Sequence, residues 1–364
     1  MKAVRRPVAS KMGRVFRDAL DRLSLRGAED RPVFLGGCPR SGTTLLRTML
    51  HSHPMLAVPR ETRFVLDSFR RRNEFGDLRD PANRAKLADW IVGERTTRFH
   101  RLKLDPEKAR ERLAEAPPTL GSVVGTGLAM YAERHGAARW GDKRPLNIDN
   151  LPAIFAMFPD VQFISIVRDP RAVVASMKKL GWIDDWYNGS VAGGVDRWVR
   201  AVLAGRWAAS RYRRDQYLEL RYEDLVADPE RALLSICHFT GLSTEHLNAM
   251  LLYHESAAEI PQKLRQKYHP LLAQPITTEA ATSWTTQLEQ EEVAFIEHVA
   301  ARQMRMYGYE PSVSGVVIPS VLADAWARAK RRRRLHRTTG IGSRRKIAAR
   351  LTSAQRRRAR LLLN

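Results

Sequence analysis

Cysteine and long apolar runs are scarce in this sequence of 364 residues. Its two cysteines, Cys38 and Cys237, are too few for a disulfide framework, so nothing argues for an oxidising compartment. No apolar stretch follows the basic N-terminus as in a secretory signal, and no apolar run approaches the roughly 20 residues that span a bilayer. Since 44% of the residues are hydrophobic, enough for a sizeable core, we expect a soluble, cytoplasmic protein.

Acidic residues are absent from the end of the chain. Residues 325–364 contain 15 Lys and Arg and no Asp or Glu. Residues 1–30 have a net charge of +4 and the whole chain +23, which leaves only +4 for residues 31–324. We predict an N-terminal arm over 1–30, one domain over 31–312, and a basic tail over 313–364 that is partly disordered or forms an amphipathic helix.

The charge of this tail suits an anionic membrane surface, where each basic residue contributes about 1 kcal/mol. We therefore expect peripheral membrane contact. Few aromatic residues are available there to stack on bases, so no specific nucleic-acid partner is expected. One alternative is a solvated tail without a partner. A rival interpretation of the whole chain is a non-enzymatic adaptor that binds membrane or nucleic acid through its basic residues.

The lysine of a Walker A loop is also missing, although the rest of the pattern is present. An apolar run over 33–35 leads to Gly37, and Gly42 follows with the spacing G-x-x-x-x-G before an apolar helical pattern. Thr43 and Thr44 stand where Walker A has Lys and Ser/Thr. Because that lysine reaches the β- and γ-phosphates of a nucleotide, this loop predicts a single terminal phosphate.

The residues of this loop are of types that bind an anion. Backbone amides of a glycine-rich turn and the dipole of the helix that it opens attract a phosphate. An arginine adds a bidentate cationic contact. The alternative is a plain strand-to-helix turn. The residues predicted to hold the phosphate are Pro39, Arg40, Ser41, Gly42, Thr43 and Thr44.

A second anion site is predicted at the end of a buried strand. The apolar run over 161–167 is typical of a parallel strand covered on both faces, and Arg168 follows it where open α/β sheets bind ligands. Ser176 lies about two turns into the next helix, so the pair is suited to a second, separate phosphate. The alternative is an Arg168 paired with a carboxylate and a Ser176 that faces a helix groove.

Strands and helices alternate along the chain. A third strand is predicted over 217–222, a long helix over 288–306, and helical patterns cover 77–140. The sequence therefore predicts an α/β fold, a P-loop-type parallel sheet flanked by helices, with a helical insertion. The small residues of 187–198 predict a loop, either a mobile lid or acceptor loop or an ordinary flexible connection.

Three motifs, in this order, resemble the sulfotransferase family that uses 3′-phosphoadenosine-5′-phosphosulfate (PAPS). "PRSGTTLL" resembles its 5′-phosphosulfate loop, "RDPRAVVAS" its 3′-phosphate motif, and "LRYEDLV" a recurrent later segment. The loop arginine and "PRETRF" are similar to the tyrosylprotein and bacterial branch. Over about residues 32–310, the resemblance implies a sulfotransferase-like fold, PAPS as sulfuryl donor, no metal, and in-line transfer to a hydroxyl acceptor.

The resemblance also implies roles for side chains outside the loop. Glu61 matches the catalytic base of the tyrosylprotein branch. Lys143 matches a lysine that contacts the sulfuryl group, with Arg40 as a second cation there, and Tyr222 matches a residue that lines the nucleotide site. The alternatives are a surface Glu61 paired with a neighbouring arginine and a surface Lys143.

The sequence departs from this branch in one late segment. Ser283 stands before Trp284 where the branch has a lysine, which leaves the nucleotide contacts of residues 260–290 open. The candidates to replace that lysine are Lys263, Arg265 and Lys267.

Two alternatives stay open at this point. The rival enzyme is a P-loop kinase or NTPase, with Asp169 at the end of the buried strand as the Mg²⁺ ligand, and the missing lysine counts against it. The identity of the acceptor also stays open, because the hydroxyl of a glycan, a lipid, a peptide or a small metabolite is compatible with the motifs.

Overall fold

A computed structural model describes residues 31–187, 190–256, 260–315 and 317–327. Within them, five parallel strands form one sheet in the order β2-β3-β1-β4-β5. The predicted parallel α/β sheet is confirmed, whereas the N-terminal arm and the tail from residue 328 lie outside the described residues. The strands are β1 (Val33–Gly37), β2 (Leu56–Ala57), β3 (Arg139–Lys143), β4 (Gln162–Val167) and β5 (Tyr217–Arg221).

Burial explains which strands the sequence revealed. Every residue of β1 and β4 is buried, as expected for central strands covered by helices on both faces. By contrast, β3 reads RWGDK and β2 has only two residues, so neither contains an apolar run. β3 forms because its backbone pairs with β1 on one side and with β2 on the other.

Helices flank this sheet. Those before β4 include the predicted insertion, α3 to α5, and are α1 (Thr43–His51), α2 (Phe64–Arg71), α3 (Pro81–Gly93), α4 (Pro106–Glu115), α5 (Leu120–Arg134) and α6 (Leu151–Met157). Those after β4 are α7 (Pro170–Lys179), α8 (Trp182–Tyr187), α9 (Val191–Arg211), α10 (Tyr222–Ala227), α11 (Pro229–Thr240), α12 (Leu247–Leu251), α13 (Tyr253–Ser256), α14 (Gln262–Tyr268), α15 (Glu279–Thr282) and α16 (Gln290–Met306).

Several helices begin at an aspartate that is followed by proline. The carboxylate accepts amide hydrogen bonds of the first turn, and proline has no amide to leave unpaired there. This start signal fixes α7 directly behind β4. The four capping residues are Asp80, Asp105, Asp169 and Asp228.

The segment 187–198 overturns our prediction of a loop. Ser190 caps α9 by accepting a hydrogen bond from the Ala192 amide, 3.3 Å away, and the helix continues through the small residues. A Cβ on Gly194 would lie 3.2 Å from Cδ1 of Ile183. The small residues therefore serve the close packing of α9, and from residue 191 onward neither a lid nor a flexible connection is present.

The sheet separates two apolar cores. Phe34 belongs to one core, and its neighbours Val33 and Leu35 belong to the other, as the alternation of side chains along a strand requires. Residues 320–327 are helical, and Trp326 packs edge-on against Phe295 of α16 with ring centroids 6.5 Å apart. The first part of the predicted tail thus packs on the domain. In the described ranges, no helix combines the length and apolarity needed to cross a membrane.

Candidate active site

The candidate site lies at the carboxyl edge of the sheet, between β1 and β4. From β1 the chain continues toward β2 and β3, and from β4 it continues toward β5, so the direction of winding reverses between the two central strands. Open α/β sheets bind ligands at such a point. The strand pairing brings four predicted parts of the site to this edge: the loop after β1, Lys143, Arg168 and Tyr222.

The loop after β1 has a backbone that only particular residues allow. Gly42 is the N-cap of α1 with φ of 94°, and Arg40 has φ of 73°, a left-handed conformation that is uncommon for a residue with a side chain. A Cβ on Gly42 would come within 2.5 Å of a ring carbon of Tyr222. Because no side chain caps α1, the amides of its first turn are available to an anion.

The structure places the loop side chains at different depths. Ser41 is fully buried, its amide donates to the Cys38 carbonyl at 3.1 Å, and it lines a small cavity together with Ser165 and Trp198. Thr43 is also buried, whereas Pro39 and Thr44 are half-buried. Among the described residues the buried Ser41 hydroxyl has no hydrogen-bond partner, and its role in binding an anion stays a prediction.

Arg40 connects the two predicted anion sites. Its Nε donates to the Ser176 hydroxyl at 3.0 Å, and its Nη2 donates to the Tyr268 carbonyl at 2.8 Å. Burial, and then the charge of Arg168, lower the pKa of Arg40 to about 10. Arg40 therefore links the loop after β1 to Ser176 of α7, and two like charges lie within range of each other.

Arg168 is held by its own backbone and by an aromatic ring. The Trp198 indole donates to the Arg168 carbonyl at 2.7 Å, which fixes the end of β4. The guanidinium donates to the Arg40 carbonyl at 3.0 Å and to the Ala280 carbonyl, and it lies 4.5 Å from the centroid of the Tyr222 ring. Its buried Nε has no hydrogen-bond partner among the described residues, and burial lowers the pKa of Arg168.

Lys143 brings an ammonium group to the loop that lacks its own lysine. It is the last residue of β3, is 5% exposed, and its Nζ donates to the Thr44 hydroxyl at 3.3 Å. Burial lowers the pKa of Lys143 to about 8, and the nearby Glu61 carboxylate opposes that shift. β3 has no apolar run that would predict a strand, yet it places Lys143 at the loop after β1. A Walker A loop has such a lysine in its own sequence.

Glu61 lies beside this lysine in the loop between β2 and α2. Its carboxylate accepts a hydrogen bond from Arg98 at 3.1 Å, and its backbone carbonyl accepts one from Arg101 at 2.7 Å. The next residue, Thr62, donates to the buried Asp142 at 3.1 Å. Because Asp142 directly precedes Lys143 in β3, this bond fixes Glu61 close to the lysine.

Asp169 does not have the surroundings that the rival kinase or NTPase would need. Its carboxylate caps α7 through the Arg171 amide at 2.8 Å and pairs with the Arg171 guanidinium at 2.6 Å. Both side chains are buried, so the carboxylate is committed to structure and is unavailable as the Mg²⁺ ligand suggested above. Over the described residues, no three His, Cys, Asp or Glu side chains cluster as a metal site requires.

The late segment reaches the site through its backbone. The carbonyls of Tyr268 and Ala280 accept from Arg40 and Arg168, and the Ser283 hydroxyl donates to the same Ala280 carbonyl at 3.3 Å. Of the candidate replacements for the missing lysine, Lys263 is exposed. Carbonyl contacts leave no trace in the side-chain sequence, so sequence reasoning missed them.

Comparison with known proteins agrees with this geometry. Residues 32–246, which include the loop after β1 and all five strands, match the Sulfotransferase family.

The chain belongs to the sulfotransferase family.

Two relatives of this sulfotransferase show how far the similarity extends. The chain is 26% identical over 290 residues to the protein-tyrosine sulfotransferase of Drosophila melanogaster. This alignment covers 77% of the chain and 52% of that protein. The chain is 27% identical over 294 residues to protein-tyrosine sulfotransferase 1 of Danio rerio, with 78% and 74% covered. The chain thus spans about half the length of the fly relative.

Two solved structures share the fold of this sulfotransferase. The sulfotransferase domain of the Synechococcus olefin synthase aligns with a TM-score of 0.52 and 23% identity, over 77% of this chain and 96% of that domain. The sulfotransferase domain of the curacin biosynthetic pathway aligns with a TM-score of 0.52 and 21% identity, over 78% of this chain and 99% of that domain. These likenesses confirm the predicted sulfotransferase-like α/β fold.

Proposed function

We propose that this protein transfers a sulfuryl group from PAPS to a hydroxyl acceptor. The observation that carries the proposal is the convergence of Arg40, Lys143 and Arg168 on one glycine loop, with Glu61 beside Lys143. Two buried cations and a half-buried one, with so little negative charge between them, favour a ligand with several anionic groups. PAPS, with a 5′-phosphosulfate and a 3′-phosphate, is such a ligand and contains no triphosphate for a metal to chelate.

The residues present suit this donor. The amides of the loop and of the first turn of α1, with Arg40 and Thr44, would hold the 5′-phosphosulfate. Arg168 and Ser176 would hold the 3′-phosphate, for which the unpartnered buried Nε of Arg168 is a ready donor. Tyr222, stacked on Arg168, would line the nucleotide site.

In this proposal Glu61 is the base. PAPS supplies a sulfuryl group whose bond to the phosphate oxygen breaks as a bond from the acceptor oxygen to sulfur forms. The Glu61 carboxylate takes the proton of the acceptor hydroxyl, and its ion pair with Arg98 orients it. Lys143 and Arg40 offset the charge that develops on the departing phosphate.

For the acceptor, we propose a tyrosine hydroxyl in an acidic peptide. The relatives are protein-tyrosine sulfotransferases, and the surroundings of Glu61 are rich in cations. Burial and then the charges of Arg98 and Arg60 lower the pKa of Arg101 to about 10. Carboxylates on either side of the tyrosine would be attracted to this region, which contains Arg60, Arg63, Arg98, Arg101 and Arg144.

A transfer assay with ³⁵S-labelled PAPS tests this proposal. We expect label on a tyrosine peptide flanked by glutamates, none on the same peptide with phenylalanine for tyrosine, and less on one with glutamines for the glutamates. A glycan, a hydroxylated lipid and a small phenol serve as the other acceptor classes. Transfer to one of these instead would reject the peptide acceptor alone, and no transfer to any hydroxyl would reject the function.

A further inference from the structure

A histidine of the late segment lies among the cations of the site. His269 follows Tyr268, whose carbonyl accepts a hydrogen bond from Arg40, and its side chain is half-buried. The positive charges of Arg40, Lys143 and Arg60 all act on its ring. These three cations come from separate segments: the loop after β1, the end of β3, and the loop that also carries Glu61.

The backbone holds His269 in place while its ring stays unengaged. Its amide donates to the Arg265 carbonyl at 2.8 Å, and its carbonyl accepts from the Leu272 amide at 3.1 Å. These bonds fix it at the junction between α14 and the turn that follows. Neither ring nitrogen forms a hydrogen bond within the described ranges, so the ring keeps its full capacity to bind a ligand.

The ring is neutral at physiological pH. Burial and then the charges of Arg40, Lys143 and Arg60 lower the pKa of His269 to about 3. A neutral imidazole has one N–H donor and one acceptor nitrogen. It is therefore a weak base and cannot act as an acid, but it donates a hydrogen bond without adding charge to an already cationic site.

We propose that His269 is a further catalytic residue, which donates its ring N–H to an oxygen of the sulfuryl group while that group is transferred. Its ring lies within electrostatic reach of Arg40, Lys143 and Arg60, where the proposed function would bring the phosphosulfate and the acceptor together. A fixed donor stabilises charge that develops in a transition state without reorganising. This inference rests on the function proposed above.

Two substitutions and a calorimetric comparison test it. His269→Ala should lower kcat about 10²–10³-fold, as the loss of one such donor does. His269→Gln, whose amide keeps an N–H donor, should recover about tenfold of that loss. Without acceptor, His269→Ala should bind PAP (3′-phosphoadenosine-5′-phosphate) as the wild type does but lose the preference for PAPS over PAP. His238→Ala, at an exposed histidine of α11, should change neither quantity.

The outcomes separate this inference from the proposed function. Unchanged kcat and unchanged preference for PAPS in His269→Ala would overturn the inference. If His269→Ala and His269→Gln lose activity equally, and one limb of the pH–rate profile disappears, the inference is also overturned. That result would mean that His269 acts as a general base and not as a hydrogen-bond donor. Thermal unfolding checks that each variant is folded. If His269→Ala is not folded, the comparison of His269→Gln with the wild type tests the inference. If the wild type itself binds neither PAPS nor PAP, the proposed function fails instead.

Discussion

At the scale of residues, burial shapes the chemistry of the three cations in the site. Burial is the largest cause of the lowered pKa of Arg40, Lys143 and Arg168, because a charge loses solvation when it leaves water. A bound anion restores favourable interactions to all three. We therefore expect ligand affinity to depend on the protonation of the most weakly basic of them, Lys143.

The first prediction is a pH dependence set by Lys143. Its pKa is lowered to about 8, so it is charged below that pH and neutral above it. PAP should bind more weakly as pH rises through about 8, by at most about tenfold per pH unit. In Lys143→Arg the charge persists over this range, and the affinity should stay flat. Calorimetry at constant ionic strength measures both; parallel curves for the two proteins would contradict the assignment.

The second prediction concerns Glu61. Glu61→Gln keeps the shape of the side chain but cannot take a proton, so turnover should fall about 10²–10⁴-fold with PAP affinity nearly unchanged. Glu133→Gln is the matched control, because Glu133 also pairs with an arginine, Arg112, at a surface away from the site. Rapid-mixing or steady-state kinetics decides it: wild-type turnover in Glu61→Gln would mean that another group is the base.

Sequence motifs predicted several of the charged side chains that the structure places at the carboxyl edge of the sheet. Arg40, Arg168 and Glu61 belong to short motifs whose chemistry is legible in the chain. The contacts of the Tyr268 carbonyl and the position of His269 depend on how a late segment folds over the loop. No spacing rule connects residues more than 200 positions apart, so only the structure brings them together.

At the scale of elements, some strands could be predicted from the sequence and others could not. β1 and β4 are buried on both faces and their apolar runs predicted them, whereas β3 is polar and forms through backbone pairing with its neighbours. The start of α9 was predicted as a loop because glycine and serine favour turns in isolation. Within the folded domain these small residues allow the helix to pack closely, which overrides the local preference.

The third prediction tests the turn between β1 and α1. Gly42→Ala should be strained at φ of 94° and would also place a methyl group against Tyr222. Gly136→Ala is the control, because Gly136 has φ of 67° but open space around it. Both should lose about 1–2 kcal/mol through left-handed strain, and Gly42→Ala should lose more stability through the contact with Tyr222 and should also lose PAP affinity. Urea unfolding and calorimetry measure the two effects; equal behaviour of the variants would contradict the role of the loop.

At the scale of the whole molecule, a buried ion network fastens the C-terminal part of the domain to the site. Arg171 pairs with Asp169 and, at 2.6 Å, with Glu297 of α16. Glu297 also accepts hydrogen bonds from the amide and hydroxyl of Ser312, and Trp284 lies over the Arg171 guanidinium. The network therefore links the start of α7, next to Arg168, to distant parts of the chain.

The fourth prediction follows from the burial of this network. Glu297→Gln leaves part of the Arg171 charge uncompensated in the interior and should cost about 3–5 kcal/mol of unfolding free energy. Glu292→Gln removes a pair with the exposed Lys178 and should cost about 0–1 kcal/mol. Denaturant unfolding compares the two variants. If their costs are equal, the network contributes no more than a surface pair.

The ends of the chain keep the status of predictions. Residues 1–30 and 328–364 lie outside the described residues, so the N-terminal arm and the contact of the tail with anionic membranes have no structural account. Beyond the predicted domain limit at residue 312, residues 320–327 are helical and Trp326 packs on α16. The one-signed charge of residues 325–364 is what locates the tail in the sequence.

The most direct test of the central claim is a comparison of PAP with ATP-Mg²⁺ as stabilising ligands. Three cations around a loop without its own lysine should bind the two separated phosphates of PAP without a divalent metal. At 100 times its dissociation constant, PAP should raise the free energy of unfolding by about 2.7 kcal/mol, and Arg168→Ala should reduce that gain. Stabilisation by ATP-Mg²⁺ and none by PAP would contradict the account.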